Sequence, residues 1–348
     1  MNGERVSISE LAKQLNTSIA TVSRALNNKD GVGEDMRNKV LQAAKNMGYK
    51  PNVLASGMRT HEIHILVVFP NKDEKSKYYT DILWQGYQVG KEYFRDHKIV
   101  YHECYFESDL EEHNQQCVER IRQLKKSGIV FGGGIVYYAG KNQELVDCIN
   151  ALEEEGVPIL ALHKKVSALE CTGIVTDEAF TIGALAAEIL DKFSPDHKEV
   201  LLVENNNVED IGLDETSKGF VEYMKSNYPN LIFHTLDQEE VNLEEKCLEI
   251  LRRPGLTTCF ASTARASVSL GRWIERLGLE KKFFYVLVGR NQESERLLQG
   301  DVGKCLIDNN PFDEGKQVMQ KLYEMILLKE NPMPRTEVPL QIFFKANI

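Results

Sequence analysis

A stretch of small side chains with one arginine lies near the amino terminus, at residues 18–27. The guanidinium of Arg24 can donate two parallel hydrogen bonds to a guanine edge. Its small neighbours would let the backbone come close to a nucleic-acid groove. The stretch therefore predicts recognition of base edges, with contacts from Ser18, Ile19, Ala20, Thr21, Ser23, Arg24 and Asn27.

Presenting these side chains together requires a helix. Ser18 has the side chain of a helix N-cap, and Val22, Ala25 and Leu26 recur at spacings of three and four, which predicts one buried stripe. A second apolar stripe precedes them at residues 8–15. Two helices joined by so short a turn are typical of a helix-turn-helix, whose second helix enters the major groove. An ordinary helical hairpin would show the same bare pattern.

A third helix is predicted at residues 34–47, where Gly48 ends it. Its expected apolar stripe consists of Met36, Val40, Leu41, Ala44 and Met47. Residues 51–59 are too few and too polar to fold alone.

Together these segments closely resemble the DNA-binding head and hinge of the lactose-repressor-type (LacI/GalR) family of bacterial transcription regulators. Residues 9–12, 21–27 and 48–52 carry the resemblance, with Arg37 and Val40. It implies a hinge that folds only on operator DNA and inserts a wedge side chain into the minor groove. The resemblance thereby adds Asn52, Ala55 and the wedge Met58 to the DNA-binding residues. Gly57 departs from the pattern, since glycine weakens a helix.

Charge supports a nucleic-acid role for the head alone. Residues 1–60 contain nine Lys and Arg against five Asp and Glu, a balance of +4, whereas the whole chain carries −10. The other residues therefore carry −14. A basic head on an acidic body concentrates the attraction to phosphates at one end.

Other classes of site find no support in the sequence. The seven cysteines form no C-x-x-C pair, so neither a zinc site nor a redox motif is indicated. Residues 132–137 lack the last glycine of a dinucleotide fingerprint, and we expect no cofactor, no metal and no catalytic residues. No apolar run approaches the ~20 residues of a membrane helix, and no signal peptide is evident. We expect a cytoplasmic bacterial protein, on the nucleoid when bound to DNA.

After residue 62 the chain alternates apolar strands with amphipathic helices, which predicts parallel sheets covered on both faces. The predicted fold is α plus α/β, a three-helix head followed by two doubly wound parallel lobes. We expect strands at residues 128–131 and 304–307, the latter returning to the first lobe. The predicted domains are a head (1–50), a hinge (51–61) and an effector-binding domain (62–348), with lobe 1 at about 62–190 plus 308–335 and lobe 2 at about 191–307 plus 336–348.

The body resembles, more loosely, the periplasmic sugar-binding-protein fold (type I) that this family uses as an effector domain. The likeness rests on residues 156–160, 175–187, 218–220, 288–289 and 308–315. It implies that Asp177 hydrogen-bonds sugar hydroxyls, that Asn309 contacts the ligand and that Tyr78 or Tyr79 covers a sugar face. Thr216 and Asn291 replace an expected arginine and aspartate, so a plain pyranose held by those two groups is in doubt.

Two arginines follow strand ends nearby, Arg265 and Arg290, and could bind a carboxylate or phosphate. We therefore expect an anionic or otherwise substituted sugar, with Asn291 beside it. The alternative is that both arginines form surface or interlobe ion pairs.

Three classes of function compete. The first is a DNA-binding transcription regulator, a repressor, that acts as a homodimer on two-fold related operator DNA and responds to a small sugar or sugar derivative. The second is a solute-binding or sensor protein without a regulatory role. The third, a carbohydrate-acting enzyme, lacks a nucleophile–base pair at a usable spacing.

Overall fold

The structure is a computed structural model that describes residues 12–15, 17–26, 31–46, 62–72, 76–106, 111–137, 143–163, 168–194, 197–205, 214–330 and 333–348. Contacts divide the chain into two compact units, Met1–Ile63 with Phe94–Val100 and His64–Tyr93 with Tyr101–Ile348. None of the described helices combines the length and the apolar character that crossing a bilayer requires.

The head contains helices α1 (Ile19–Leu26) and α2 (Glu34–Asn46), and residues 12–14 are also helical. Ser18 caps α1 as predicted, because its Oγ accepts a 3.0 Å hydrogen bond from the Thr21 backbone N–H. The core of the head is formed by Ala12, Val22, Ala25, Val40 and Ala44.

The apolar stripes of the head are mostly confirmed. Val22 and Val40 are fully buried, and Met36 packs against the same core. Leu41 was wrongly assigned to the stripe, since it is 47% exposed. It directly follows Val40 in the helix, so the turn of about 100° per residue carries it off the buried face.

The body begins with alternating strands and helices. In chain order they are β1 (Ile63–Pro70), α3 (Thr80–Gly90), β2 (Ile99–Phe106), α4 (Glu111–Lys126), β3 (Phe131–Tyr137), α5 (Gln143–Glu154), β4 (Ile159–Leu162) and β5 (Gly173–Thr176). Short 3-10 turns flank α3 at Ser76–Tyr78 and Lys91–Phe94. The strand predicted at residues 128–131 was misplaced, because Gly128 has a left-handed φ of +82° and the strand begins at Phe131.

The second half repeats the alternation. Its elements are α6 (Ala179–Phe193), β6 (Glu199–Glu204), α7 (Glu215–Asn227), β7 (Ile232–Asp237), α8 (Leu243–Leu251), β8 (Leu256–Ala261), α9 (Ala264–Arg276), β9 (Tyr285–Val288), α10 (Gln292–Gln299), β10 (Gly303–Asp308), α11 (Pro311–Tyr323), β11 (Arg335–Glu337) and β12 (Gln341–Phe343). A π-helical turn, Glu324–Leu328, extends α11.

The strands form three sheets. One has six strands in the order β11-β5-β4-β3-β1-β2, and two have three strands each, β7-β6-β8 and β12-β10-β9. The prediction that residues 304–307 return to the first lobe is wrong, because β10 pairs in parallel with β9 and antiparallel with β12. The chain returns only afterwards, first when α11 packs against α3 and then when β11 pairs with β5.

Two helix pairs pack at unusually short distance. A Cβ on Gly183 of α6 would lie 1.8 Å from the Thr216 carbonyl oxygen at the start of α7, and one on Gly86 of α3 would lie 1.8 Å from that of Phe312 in α11. The predicted lobe boundary near residue 190 falls inside α6. That helix shares a hydrophobic core with β6, α7 and β9.

Candidate functional site

Polar and aromatic side chains collect where neighbouring parallel strands of the six-stranded sheet end. Tyr137 is the last residue of β3, His163 directly follows β4 and Asp177 directly follows β5. The register pairs Tyr137 with Leu162 and Leu162 with Val175. Because parallel strands present their carboxyl ends at one edge, the three side chains lie on adjacent strand ends. The His163 ring stacks on the Tyr137 ring at 5.8 Å between centroids.

A buried hydrogen-bond network forms the centre of this cluster. The Tyr79 hydroxyl donates to Glu314 Oε2 at 2.5 Å and lies 2.7 Å from His163 Nδ1. Glu314, in the first turn of α11, is completely buried. Loss of solvation, reinforced by the carboxylates of Glu314 and Asp177, holds the pKa of Tyr79 well above its usual value of 10.0. The hydroxyl therefore stays protonated at neutral pH and acts as a donor.

Asp177 and Asn309 form the second polar contact of the cluster. Asn309 Nδ2 donates a 2.9 Å hydrogen bond to Asp177 Oδ2, and both residues are buried. The Asn309 Oδ1 atom accepts no hydrogen bond from the residues that the structure describes. A carboxylate beside an amide with a spare acceptor suits a ligand with several hydroxyl groups, each of which both donates and accepts.

The same cluster contains a set of potential metal ligands. Ligand atoms of His163, Asp177 and Glu314 lie within 4.8 Å of one another. The Tyr79 hydroxyl, however, lies within hydrogen-bond distance of both His163 and Glu314. A metal ion held by all three ligands would have to displace this hydroxyl.

Three other residues predicted to contact an effector, namely Tyr78, Arg265 and Asn291, make contacts outside this cluster. Tyr78 packs against the hydrophobic core of the second lobe. Arg265 forms an ion pair with Glu239. Asn291 caps α10, since its Oδ1 accepts from the backbone N–H groups of Glu293 and Ser294 at 3.1 Å.

Arg290 is also engaged within the protein. Its Nε lies 2.7 Å from Glu295 Oε1, and its guanidinium lies over the Phe343 ring at 4.5 Å. Both arginines thus form ion pairs with glutamates, while contact of either one with an effector stays a prediction.

The nucleic-acid residues are only partly described. Arg24 is exposed on α1, and the Thr21 hydroxyl lies 2.9 Å from Ser18 Oγ. Ile19, Ala20 and Ser23 have helical backbones. The remaining predicted contacts lie outside the described residues, namely Asn27, Asn52, Ala55 and Met58.

Sequence reasoning missed two residues of the cluster, His163 and Glu314. His163 could have been found as a polar residue directly after an apolar strand, whereas Asp177 was assigned through the family resemblance. Glu314 gave no such signal, because an acidic residue in a first helical turn is usually explained by the helix dipole.

Comparison with known proteins agrees with this geometry. Residues 7–52 match the family model described as bacterial regulatory proteins, lacI family, and residues 67–330 match that of a periplasmic binding protein domain. The chain belongs to the periplasmic binding protein domain family through residues 67–330, and its head carries a lacI-family domain. The predicted fold class is confirmed.

The chain is similar to individual named regulators. It is 32% identical over 149 residues to the HTH-type transcriptional regulator RegA of Clostridium saccharobutylicum, covering 42% of this chain and 41% of that one. It is 24% identical over 270 residues to catabolite control protein A of Staphylococcus aureus, covering 70% and 78%. The match thus spans less than half of the RegA sequence.

A solved structure extends the likeness to the full length. The Lac repressor dimer bound to operator and the anti-inducer ONPF superposes with a TM-score of 0.61 at 15% identity, covering 97% of this chain and 98% of that one. At this identity the similarity is one of fold.

Proposed function

We propose that this lacI-family protein is a DNA-binding transcription regulator, a repressor, whose operator affinity is controlled by a small sugar or sugar derivative. One observation carries the proposal: a lacI-type head and a periplasmic-binding-protein body occur in one chain. A free solute-binding protein has no use for the head. The regulators among its relatives support the same function.

The domain division follows from this function. Residues 1–50 form the DNA-binding head, residues 51–61 the hinge and residues 62–348 the effector-binding domain. The protein acts as a homodimer, since a two-fold related pair of heads reads two half-sites of an operator. The operator-bound Lac repressor dimer supports this arrangement by analogy.

In the head, α1 is the helix that enters the major groove. The exposed Arg24 guanidinium forks onto a base edge, and Ser18, Thr21 and the small residues of α1 allow close approach. Replacing Arg24 by alanine should therefore cost about 1–3 kcal/mol at the preferred site and relax specificity at one base pair.

The role of Arg24 is tested in two steps. The full chain first selects its preferred DNA from a random pool, and fluorescence anisotropy then gives the affinities of the wild type and of Arg24→Ala for that DNA and for unrelated sequences. Lys39→Ala, which removes an exposed charge from α2, is the control for loss of general phosphate attraction. An equal loss of affinity on every DNA sequence would make Arg24 a phosphate contact. A full chain that selects no sequence at all would favour the sensor alternative.

The effector site comprises Tyr79, Asp177 and Asn309, held by His163 and Glu314. The loops around this site are held by Arg265 and Arg290, through their ion pairs with Glu239 and Glu295, and by Asn291, which caps α10. A thermal-shift screen of the full chain against neutral sugars, sugar acids and sugar phosphates tests this assignment. A ligand at 100 times its Kd stabilises the folded state by about 2.7 kcal/mol. Chemical conversion of the bound sugar would instead support the enzyme alternative.

A further inference from the structure

Acidic side chains lie at the carboxyl ends of several strands of the body. Asp177 directly follows β5, and Glu204, Asp237 and Asp308 are the last residues of β6, β7 and β10. Of these four, Asp177, Glu204 and Asp308 are buried. Ligands of parallel α/β sheets bind outside this end of the strands. The strand ends expected to receive an effector are therefore rich in carboxylates.

Neutral groups donate the hydrogen bonds described for the two carboxylates of the effector cluster, Asp177 and Glu314. The Asn309 amide donates to Asp177 at 2.9 Å, and the Tyr79 hydroxyl donates to Glu314 at 2.5 Å. Burial makes a carboxylate costly, and a neutral donor offsets less of this cost than a cation does. A cation bound beside these carboxylates would therefore stabilise the cluster.

His163 can supply one positive charge to this cluster. The Tyr79 hydroxyl has a single proton, which it donates to Glu314, so His163 Nδ1, at 2.7 Å, donates to the Tyr79 oxygen. The same Nδ1 atom lies 3.6 Å from Glu314 Oε1. The carboxylates of Glu314 and Asp177 thus outnumber the one charge that His163 carries when it is protonated.

The arginines expected to bind an anionic effector are paired with other glutamates. Arg265 forms an ion pair with Glu239, and Arg290 forms one with Glu295. Thr216, which replaces an expected arginine, is buried and neutral. Because these pairs already neutralise both arginines, the charges described at the cluster favour a cationic ligand over an anionic one.

Asn309 adds an acceptor beside Asp177. The Asn309 Oδ1 atom accepts no hydrogen bond from the described part of the chain, although the residue is only 8% exposed. Since Nδ2 of the same amide donates to Asp177, this oxygen lies close to the carboxylate. An ammonium group has three donors and no acceptor, whereas a hydroxyl donates only one hydrogen bond. An ammonium can therefore bind Asp177 and Asn309 Oδ1 at the same time.

Three rings belong to the same cluster. The His163 ring stacks on the Tyr137 ring at 5.8 Å and lies 4.4 Å from the Tyr79 ring. All three side chains are half-buried. An aromatic face attracts a cation through its negative π-system, and it also offers an apolar surface to the C–H groups of a sugar. The rings thus suit a sugar that carries a positive charge.

We propose that the effector is an amino sugar, whose protonated amine binds Asp177 and Asn309 Oδ1 and whose ring lies against Tyr79 and Tyr137. The inference rests on the proposed function, since it names the substituent that the same effector site selects. Glu314 adds to the negative charge of the cluster from its buried position beside Tyr79.

Calorimetry on the full chain compares amino sugars with their uncharged relatives. Glucosamine, galactosamine and mannosamine are each measured with the parent hexose and the N-acetyl derivative. At about pH 7 an amine with the pKa of an α-amino group is mostly protonated. Because a charge-assisted hydrogen bond is roughly twice as strong as a neutral one, at least one amino sugar should bind about tenfold more tightly than its hexose. Its N-acetyl derivative should lose that gain.

Removing the charge of Asp177 tests the contact directly. Asp177→Asn keeps the shape and an oxygen that accepts from Asn309, so the amino sugar should lose its advantage over the hexose. Glu314→Gln is a second variant that removes negative charge from the cluster, and it should reduce the same advantage. Asp96→Asn, at an exposed position, is the matched control and should leave the advantage unchanged. Folding of each variant is checked by its thermal transition.

The outcomes separate this inference from the proposed function. A hexose or a sugar acid that binds as tightly as the amino sugar overturns the selection of an amine alone. An advantage of the amino sugar that persists in both Asp177→Asn and Glu314→Gln overturns it as well. Failure of every sugar to bind the wild-type chain contradicts, in addition, the sugar-responsive part of the proposed function.

Discussion

Asn309 Nδ2 donates a 2.9 Å hydrogen bond to Asp177 Oδ2 across 132 residues of chain. Asp177 follows β5 of the six-stranded sheet, whereas Asn309 follows β10 of a different sheet. The contact therefore joins the end of β5 to the segment through which the chain crosses from β10 to α11. An effector that takes over either partner changes this contact, and a ligand acts on a conformational equilibrium through such differential contacts.

Asn309→Ala should weaken effector binding. A hydrogen bond from a neutral sugar hydroxyl to the Asn309 Oδ1 acceptor is worth about 0.5–1.5 kcal/mol, so the Kd of a neutral sugar found in the screen should rise about 2- to 10-fold. Isothermal titration on the full chain measures it. Asn227→Ala removes an amide that donates to a helical carbonyl on the surface and serves as the control. An unchanged Kd in Asn309→Ala would remove this residue from the site.

Tyr79→Phe should destabilise the folded body. The change removes the hydroxyl that donates to the completely buried Glu314. A buried acceptor that loses its donor costs about 1–3 kcal/mol, and more for a charged one. Denaturant unfolding gives the free-energy change, with Tyr93→Phe as the matched control because its hydroxyl bonds the half-buried amide of Gln320. Equal losses in the two variants would argue against a special role for the Tyr79 network.

Asp308→Asn should change how stability depends on pH. Burial raises the pKa of Asp308, and the nearby negative charge of Glu295 adds to the rise. Hydrogen bonds from the backbone N–H groups of Asn310 and Arg290, together with the positive charge of Arg290, oppose it without cancelling it. The folded chain thus binds this proton more tightly than the unfolded chain. The carboxyl therefore lowers stability as pH rises from its usual pKa through the raised one.

Unfolding free energies measured from about pH 3 to 7 should show Asp308→Asn gaining on the wild type as pH increases, since its amide does not titrate. Asp96→Asn, at an exposed position, controls for loss of one negative charge. A difference from the wild type that stays constant with pH would contradict the raised pKa.

Ser18→Ala should weaken DNA binding by destabilising α1. The Ser18 hydroxyl caps the helix through the Thr21 N–H, and losing an N-cap typically costs ~1 kcal/mol. Anisotropy titration with the selected DNA should show a several-fold loss, as expected for ~1 kcal/mol. Ser18→Asp restores a capping acceptor and should recover the stability of α1. Its operator affinity should therefore exceed that of Ser18→Ala. Retention of full affinity in Ser18→Ala would indicate that DNA binding does not depend on this cap.

Local patterns predicted much of the fold. The spacing of Val22 and Ala25 identified the buried face of α1, and Ser18 identified its first turn, because both signals depend only on neighbours in sequence. The alternation of apolar strands with amphipathic helices likewise predicted parallel sheets. The pairing of strands that are distant in sequence was harder to predict. The apolar run at residues 305–307 of β10 does not indicate which strands lie beside it, so its partners β9 and β12 appeared only in the structure.

The candidate effector site was likewise predicted only in part. The family resemblance implied Asp177 and Asn309, but the hydrogen bond between them depends on how the two sheets meet. For Arg265 and Arg290 the sequence left two roles open, and only folding brought Glu239 from 26 residues away to pair with Arg265. Short-range periodicity was enough to predict the helix-turn-helix pattern and the α/β class, because it depends only on residues that are close in sequence. Only the folded chain shows which charges are neutralised and that Glu314 is buried beside Tyr79. Burial and charge pairing both depend on neighbours that are remote in the chain.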